Sequence, residues 1–148
     1  MTCTEKISAA PRAASWALAA LGVVILATPV SAHRVEKHYA VETRPVITVQ
    51  NSHGRIEVKS WKNPEVVVIG DHRSDKVEID TEKAGNRIEV ITHVLGEGVS
   101  AAEREATYQI TVPEESELQV RTDSGLVVVE RVFGDMTFDT VSADVQRQ

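Results

Sequence analysis

The chain is nearly free of cysteine: its 148 residues include one, Cys3. A single thiol excludes an internal disulfide and a cysteine metal site, so the fold must be held by packing. Cys3 precedes the apolar run of the N-terminal region and does not follow it, which also excludes the acylated cysteine of a lipoprotein. Long apolar runs are missing too. The longest, Trp16 to Ala27, falls short of the roughly 20 residues that span a bilayer, and Pro29 closes it. An excess of positive charge is absent: the formal net charge is −6, which disfavours nucleic acid and anionic membrane surfaces. After residue 32 there is no amphipathic helical window and no Gly-x-Ser-x-Gly, Cys-His pair or Ser-x-x-Lys. An all-α domain and the familiar hydrolase nucleophiles go with them.

What is present begins with an export signal. Lys6 and Arg12 precede the apolar run, and Val30 and Ala32 put small residues at the two positions a signal peptidase reads. Residues 1–32 are therefore expected to be a signal peptide cleaved after Ala32, leaving no membrane span. Cleavage would remove Lys6, Arg12 and Glu5 and leave a chain slightly more acidic still. The expected location is the periplasm, the cell surface or the extracellular space.

Residues 33–45 read as a polar lead-in with room for one short strand. From Val46 the apolar residues alternate, as expected of strands with one buried face: Ile47 and Val49, then Ile56 and Val58, around the turn Asn51-Ser52-His53-Gly54. Val66 to Ile69 is apolar at consecutive positions and predicts a central strand covered on both faces. Val77 and Ile79, then Ile88 and Val90, flank Lys83-Ala84-Gly85-Asn86 as a hairpin. Leu95 to Glu105 has no strand period, although Ser100 to Arg104 could close one helical turn. Tyr108, Ile110 and Val112 restore the alternation until Pro113.

The C-terminal third repeats itself. Leu118, Val120, Thr122, Ser124, Gly125, Val127 and Val129 are followed, 18 positions on, by Met136, Phe138, Thr140, Ser142, Ala143, Val145 and Arg147. A third copy, Ile47, Val49, Asn51, His53, Gly54, Ile56 and Val58, stands 71 positions earlier. One such unit buries a few side chains at roughly 1.5–3 kcal/mol each, against roughly 1–2 kcal/mol of entropy for every residue ordered, so units must stack. The expected fold is an all-β, β-solenoid-like stack of short strands with an antiparallel portion over residues 46–148. A plain antiparallel meander has the same period and stays open.

The stretches VITVQNSHGRIEVKSW, YQITVPEESELQVRTDSGLVVVERVFG and MTFDTVSADV together resemble the putative-adhesin β-strand-repeat domain of exported bacterial proteins, a domain of unknown function. The resemblance covers Val41 to Gln148. It implies a stacked β scaffold outside the cytoplasm with no assigned chemistry. Further rungs follow in that family, whereas here the repeat breaks off at Gln148 and Ala143 replaces the glycine. Either a short member or a truncated fragment of a longer β-repeat protein fits.

Two surfaces stand out as candidates. Leu126 and Val128 are apolar where the other copies carry Arg55 and Glu57, or Asp144 and Gln146, so a packed segment or a partner should cover them. Met136, Phe138 and Val145 lie on the last rung, whose open edge invites association with another chain. Asp123-Ser124-Gly125 with His53 reads as turn chemistry, and Glu114, Glu115 and Glu117 as a solvated bend. Asp135, Asp139 and Asp144 lack the spacing of a calcium loop. The alternative is an exported metal-binding or enzymatic domain: cleavage after Ala32 would leave His33 with a free amine, which together with its imidazole can chelate Cu(II), and His38 could complete a nitrogen-rich site, although no regular His spacing supports it. The primary reading needs no cofactor: a non-enzymatic exported scaffold or adhesion domain whose envelope or extracellular partner the sequence does not identify.

Overall fold

The computed structural model describes residues 32–148. The predicted signal peptide, apart from Ala32, lies outside the described residues. Among the described residues nine strands follow one another: β1 (His33–Ala40), β2 (Val46–Asn51), β3 (Arg55–Trp61), β4 (Glu65–His72), β5 (Val77–Ala84), β6 (Arg87–Val94), β7 (Ala106–Pro113), β8 (Glu117–Glu130) and β9 (Met136–Arg147). The short polar lead-in thus contains the one strand it had room for.

The repeat is realised as parallel stacking. Ile47 pairs with Leu118 and Val49 with Val120; beyond the corner, Ile56 pairs with Val127 and Val58 with Val129. On its other side β8 pairs with β9, Leu118 with Met136 and Val127 with Val145. The two displacements read from the sequence are the two registers of the sheet, so like residues lie on like and each apolar position continues a buried row. Side chains follow the same columns. Arg121 donates to Asp139 at 2.9 and 3.0 Å, and the Ser60 hydroxyl donates to the Arg131 carbonyl at 2.6 Å.

A further rung was not legible as a repeat. β6 pairs in parallel with β2, and β7 in parallel with β3, so β6 and β7 form one rung beside β2 and β3. Residues 95–105 take the place of its corner and return where Ala106 N–H donates to His53 O at 2.9 Å. Within that excursion Ser100 and Glu103 cap each other: Ser100 N–H and hydroxyl donate to Glu103 Oε2, and Glu103 N–H donates to Ser100 Oγ. Arg104 N–H reaches Ser100 O at 3.1 Å, closing the single helical turn expected there.

The remaining pairs, β1–β4, β4–β7 and β5–β6, are antiparallel. Gly85, at φ +61°, makes the predicted hairpin between β5 and β6. The strand order β1-β4-β7-β3-β8-β2-β6-β5 ends in two edges that approach each other, where the Tyr39 hydroxyl donates to Thr81 Oγ1 at 2.7 Å. The architecture is therefore a mixed sheet curled almost into a barrel. A plain antiparallel meander is overturned by the parallel pairs, and the expectation of a solenoid-like stack reduces to an all-β mixed sheet with parallel rungs.

The inward positions of every rung meet in one core that includes Ile47, Ile56, Ile88, Tyr108, Ile110 and Leu118. Val66, Val67 and Val68 of β4 are buried on both faces, as their consecutive apolar run requires. At the corner the core turns polar. Asn51 Nδ2 donates to His53 O at 3.0 Å, Thr92 Oγ1 donates to Asn51 Oδ1 at 3.0 Å, and the Tyr108 hydroxyl meets Thr92 Oγ1.

Candidate interaction surfaces

β9 stands off the path of the sheet and pairs with β8 alone among the described strands. It is 12 residues long and contains neither proline nor lysine, two of the devices that blunt a sheet edge. Met136 and Phe138 are half-buried against the end of the core. Val145 is 40 % exposed and Val141, at the corner, 83 %. The three residues expected on the open rung are thus brought together on one strand, two lying on its first arm and one on its second.

Leu126 and Val128 point away from the core on the second arm of β8. Leu126 lies between Arg55 and Asp144, and Val128 between Glu57 and Gln146. Leu126 is half-buried and Val128 is buried. Beside them Lys59 Nζ donates to Glu57 Oε1 at 2.9 Å, and this hydrogen bond, ahead of the opposing effect of burial, lowers the Glu57 pKa. The apolar pair therefore sits inside a charged ladder, and the 95–105 excursion makes its bonds elsewhere, to Lys76 and at His53.

The histidines are dispersed. His33 and His38 lie five residues apart on β1, on opposite faces and about 16 Å apart along the strand. That separation corrects the idea of a joint His33–His38 copper chelate. His33 stacks on its register partner His72, with centroids 5.1 Å apart, and bonds Asp75 at 3.2 Å. His38 donates from both ring nitrogens, to Glu65 and Glu36 at 3.1 Å each, an arrangement only the imidazolium can make. These hydrogen bonds, Glu36 first and then Glu65, raise its pKa. Among the described residues no group of three or more His, Cys, Asp or Glu is placed to hold a metal ion.

At the corner, Ser52 Oγ lies 2.9 Å from His53 Nδ1 and donates to Asp123 Oδ2 at 3.4 Å. The Ser52 hydroxyl thus ties its own turn to Asp123 of the neighbouring rung. Ser124 bonds through its backbone, N–H to Ser52 O at 3.1 Å. These residues are column contacts between rungs.

Sequence reasoning did not find a cleft at the rung ends remote from this corner. Three connections meet there: residues 41–45, 61–64 and 113–115, around an open depression of about 580 Å³. Trp61 and Pro113 are register partners on β3 and β7, and the Trp61 indole N–H donates to Glu65 O at 2.7 Å, which fixes the ring across its own turn. Lys62-Asn63-Pro64 and Pro113 were each legible as turns. That the turns share one end of the sheet follows only from the strand order.

No family model matches the chain, and no curated protein sequence does. Solved structures similar to it include three described as a putative cell adhesion protein from Clostridium sporogenes and putative adhesins from Bacteroides fragilis and Parabacteroides merdae. The first is 14 % identical with a TM-score of 0.47, over 77 % of this chain and 59 % of that one. The second is 9 % identical with a TM-score of 0.37, over 78 % and 59 %. The third is 10 % identical with a TM-score of 0.30, over 76 % and 55 %. The chain thus spans less than three fifths of the length of each.

Proposed function

We propose that this protein is a non-enzymatic, exported interaction scaffold of the bacterial cell envelope, a solenoid-like stack in which the β9 rung takes a further strand. The observation that carries the reading is β9, paired along one side and open along the other among the described residues. An open edge offers a row of backbone donors and acceptors to an added strand, and the half-buried Met136 and Phe138 offer it apolar contact. Export rests on the basic, apolar and small-residue regions of residues 1–32.

The occupant favoured for the edge is a second copy of the chain. The pairing with β8 is interrupted at Val141, which divides the rung into two arms, Met136 to Thr140 and Ser142 to Arg147. A two-fold axis through the interruption lays one arm on the other copy's second arm, and Phe138 and Val145 both face inward there. Sedimentation of the exported protein over a wide concentration range tests this. Association should appear in the wild type and vanish when Val141 and Val145 are both replaced by lysine. A monomer at every concentration sinks the self-association, and an N-terminal residue of Met1 on exported protein sinks the signal peptide.

A further inference from the structure

The cleft lined by Trp61 is independent of the β9 edge, and we infer that it is a binding site for a saccharide, taking a pyranose ring on the indole face with its hydroxyls on the charged rim. Its floor is apolar and aromatic, Trp61, Val41 and Pro113, with the exposed Pro64 at its edge. Each is held. Trp61 is tied to Glu65 O, Val41 N–H donates to Pro64 O at 3.0 Å, and Pro113 lies in register beside Trp61. A volume of about 580 Å³ falls in the range of small-ligand sites.

One lip of the cleft is strained. Arg44 has φ +54°, a region costly for any residue with a Cβ, and it precedes Pro45, which itself favours an extended conformation. The loop is held in place from several directions. Asn86 Oδ1 accepts from Glu42 N–H at 2.7 Å, Asn86 Nδ2 donates to Thr43 O at 2.9 Å, and Asn86 O accepts from Val46 N–H at 3.0 Å. Such strain persists only where the surroundings over-determine it, and it gathers at binding sites. Here it brings the Arg44 guanidinium to the rim, 3.9 Å from Glu115 and largely in solvent.

The rim selects the ligand. Arg44, Lys62 and Asn63 donate, while Glu42, Glu114, Glu115 and the Asn63 carbonyl accept. Three carboxylates against two cations disfavour a phosphate or another polyanion. A lipid chain would use the floor and strand the rim. A sugar ring matches both, with an apolar C–H face for the indole and an edge of hydroxyls that donate and accept. A proline-rich segment would also sit on the floor, so it belongs in the test as a competitor.

The test titrates the exported protein with cellotriose, maltotriose, chitotriose and a proline decapeptide, reading tryptophan emission and the Trp61 indole resonance. At least one trisaccharide should perturb Trp61 saturably. Trp61→Ala should weaken that binding by about tenfold or more, as loss of a central aromatic anchor does. Trp61→Phe, which keeps a ring, should retain part of it. Arg44→Gly suits the local φ, so it should fold and still weaken binding. The proposal is overturned if no trisaccharide binds at millimolar concentration, if Trp61→Phe and Arg44→Gly both bind as wild type does, or if only the decapeptide perturbs Trp61.

Discussion

A Cβ placed on Gly125 would stand 1.9 Å from the carbonyl oxygen of Gly54. The two glycines occupy the same corner of successive rungs, at φ +122° and +119°, and Leu126 N–H donates to that same Gly54 oxygen at 3.1 Å. Gly54 in turn leaves no room toward Ala106 O, 2.2 Å from where its own Cβ would lie. At the corner the rungs meet backbone to backbone. Ala143, in register with Gly125, is not among the residues with positive φ, so the last rung turns the corner differently.

Gly125→Ala should therefore cost about 3 kcal/mol or more, combining left-handed strain with a backbone overlap no rotamer relieves. Ala143→Gly should cost under about 1 kcal/mol, since only chain entropy changes. Urea unfolding of both variants checks the contrast. Equal midpoints would mean that the corner is not a rigid column.

How far the fold could be read beforehand depended on whether a rung kept its corner. Ile47 to Val58 and Leu118 to Val129 keep the polar turn and glycine, so their displacement disclosed the parallel register. β6 and β7 form an equivalent rung, but residues 95–105 replace the corner, and alternation alone does not say which strand is the neighbour. Hairpin and central-strand readings succeeded because Gly85 and Val66 to Val68 act locally. The cleft was illegible for the opposite reason: Arg44, Trp61 and Pro113 are far apart in the chain and joined only by the strand order.

Tyr108 is fully buried at the polar end of the core, and burial pushes its pKa up to about 12 against the opposing effect of its hydrogen bond with Thr92. Tyr108→Phe should destabilise by about 1–2 kcal/mol, since Thr92 then loses a partner while keeping Asn51. Adding Thr92→Val should cost less than the sum of the single changes, because each removes the same bond. A thermal double-mutant cycle measures the difference. The raised pKa also means that stability is intact below pH 10 and lost as pH rises toward 12.

Val128 and Leu126 should separate under substitution by threonine. Val128 is 4 % exposed, so Val128→Thr buries a hydroxyl between Glu57 and Gln146 and should cost about 1 kcal/mol. Leu126→Thr, at a half-exposed site, should stay within about 0.5 kcal/mol. Melting curves decide it. A large loss at Leu126 would make that residue structural and remove it as a contact for a partner.

His38 should make stability fall as pH rises. Its folded pKa is raised by Glu36 and Glu65 above 6.5, so its contribution is whole below 6.5 and disappears as pH climbs through the raised value. His38→Gln should flatten that decline without altering the melting temperature at higher pH, where the wild-type ring is neutral. An unchanged slope would show that the two carboxylates do not hold the ring in its charged form.

Glu103 works in the opposite direction. Backbone and hydroxyl hydrogen bonds from Ser100, and then the Lys76 ammonium, lower its pKa from 4.5 to about 2. The ionised form is the one the cap holds, so its contribution is complete above 4.5 and is lost as pH falls toward 2. Glu103→Gln can still accept from Ser100 but carries no charge, so it should be less stable than wild type near neutrality and should converge with it in acid. Because the capped turn ends where Ala106 N–H meets His53 O, a weakened cap should also show as faster amide exchange at Ala106. Exchange at Ala106 unaffected by the substitution, together with parallel pH curves, would leave the excursion uncoupled from the rung it closes.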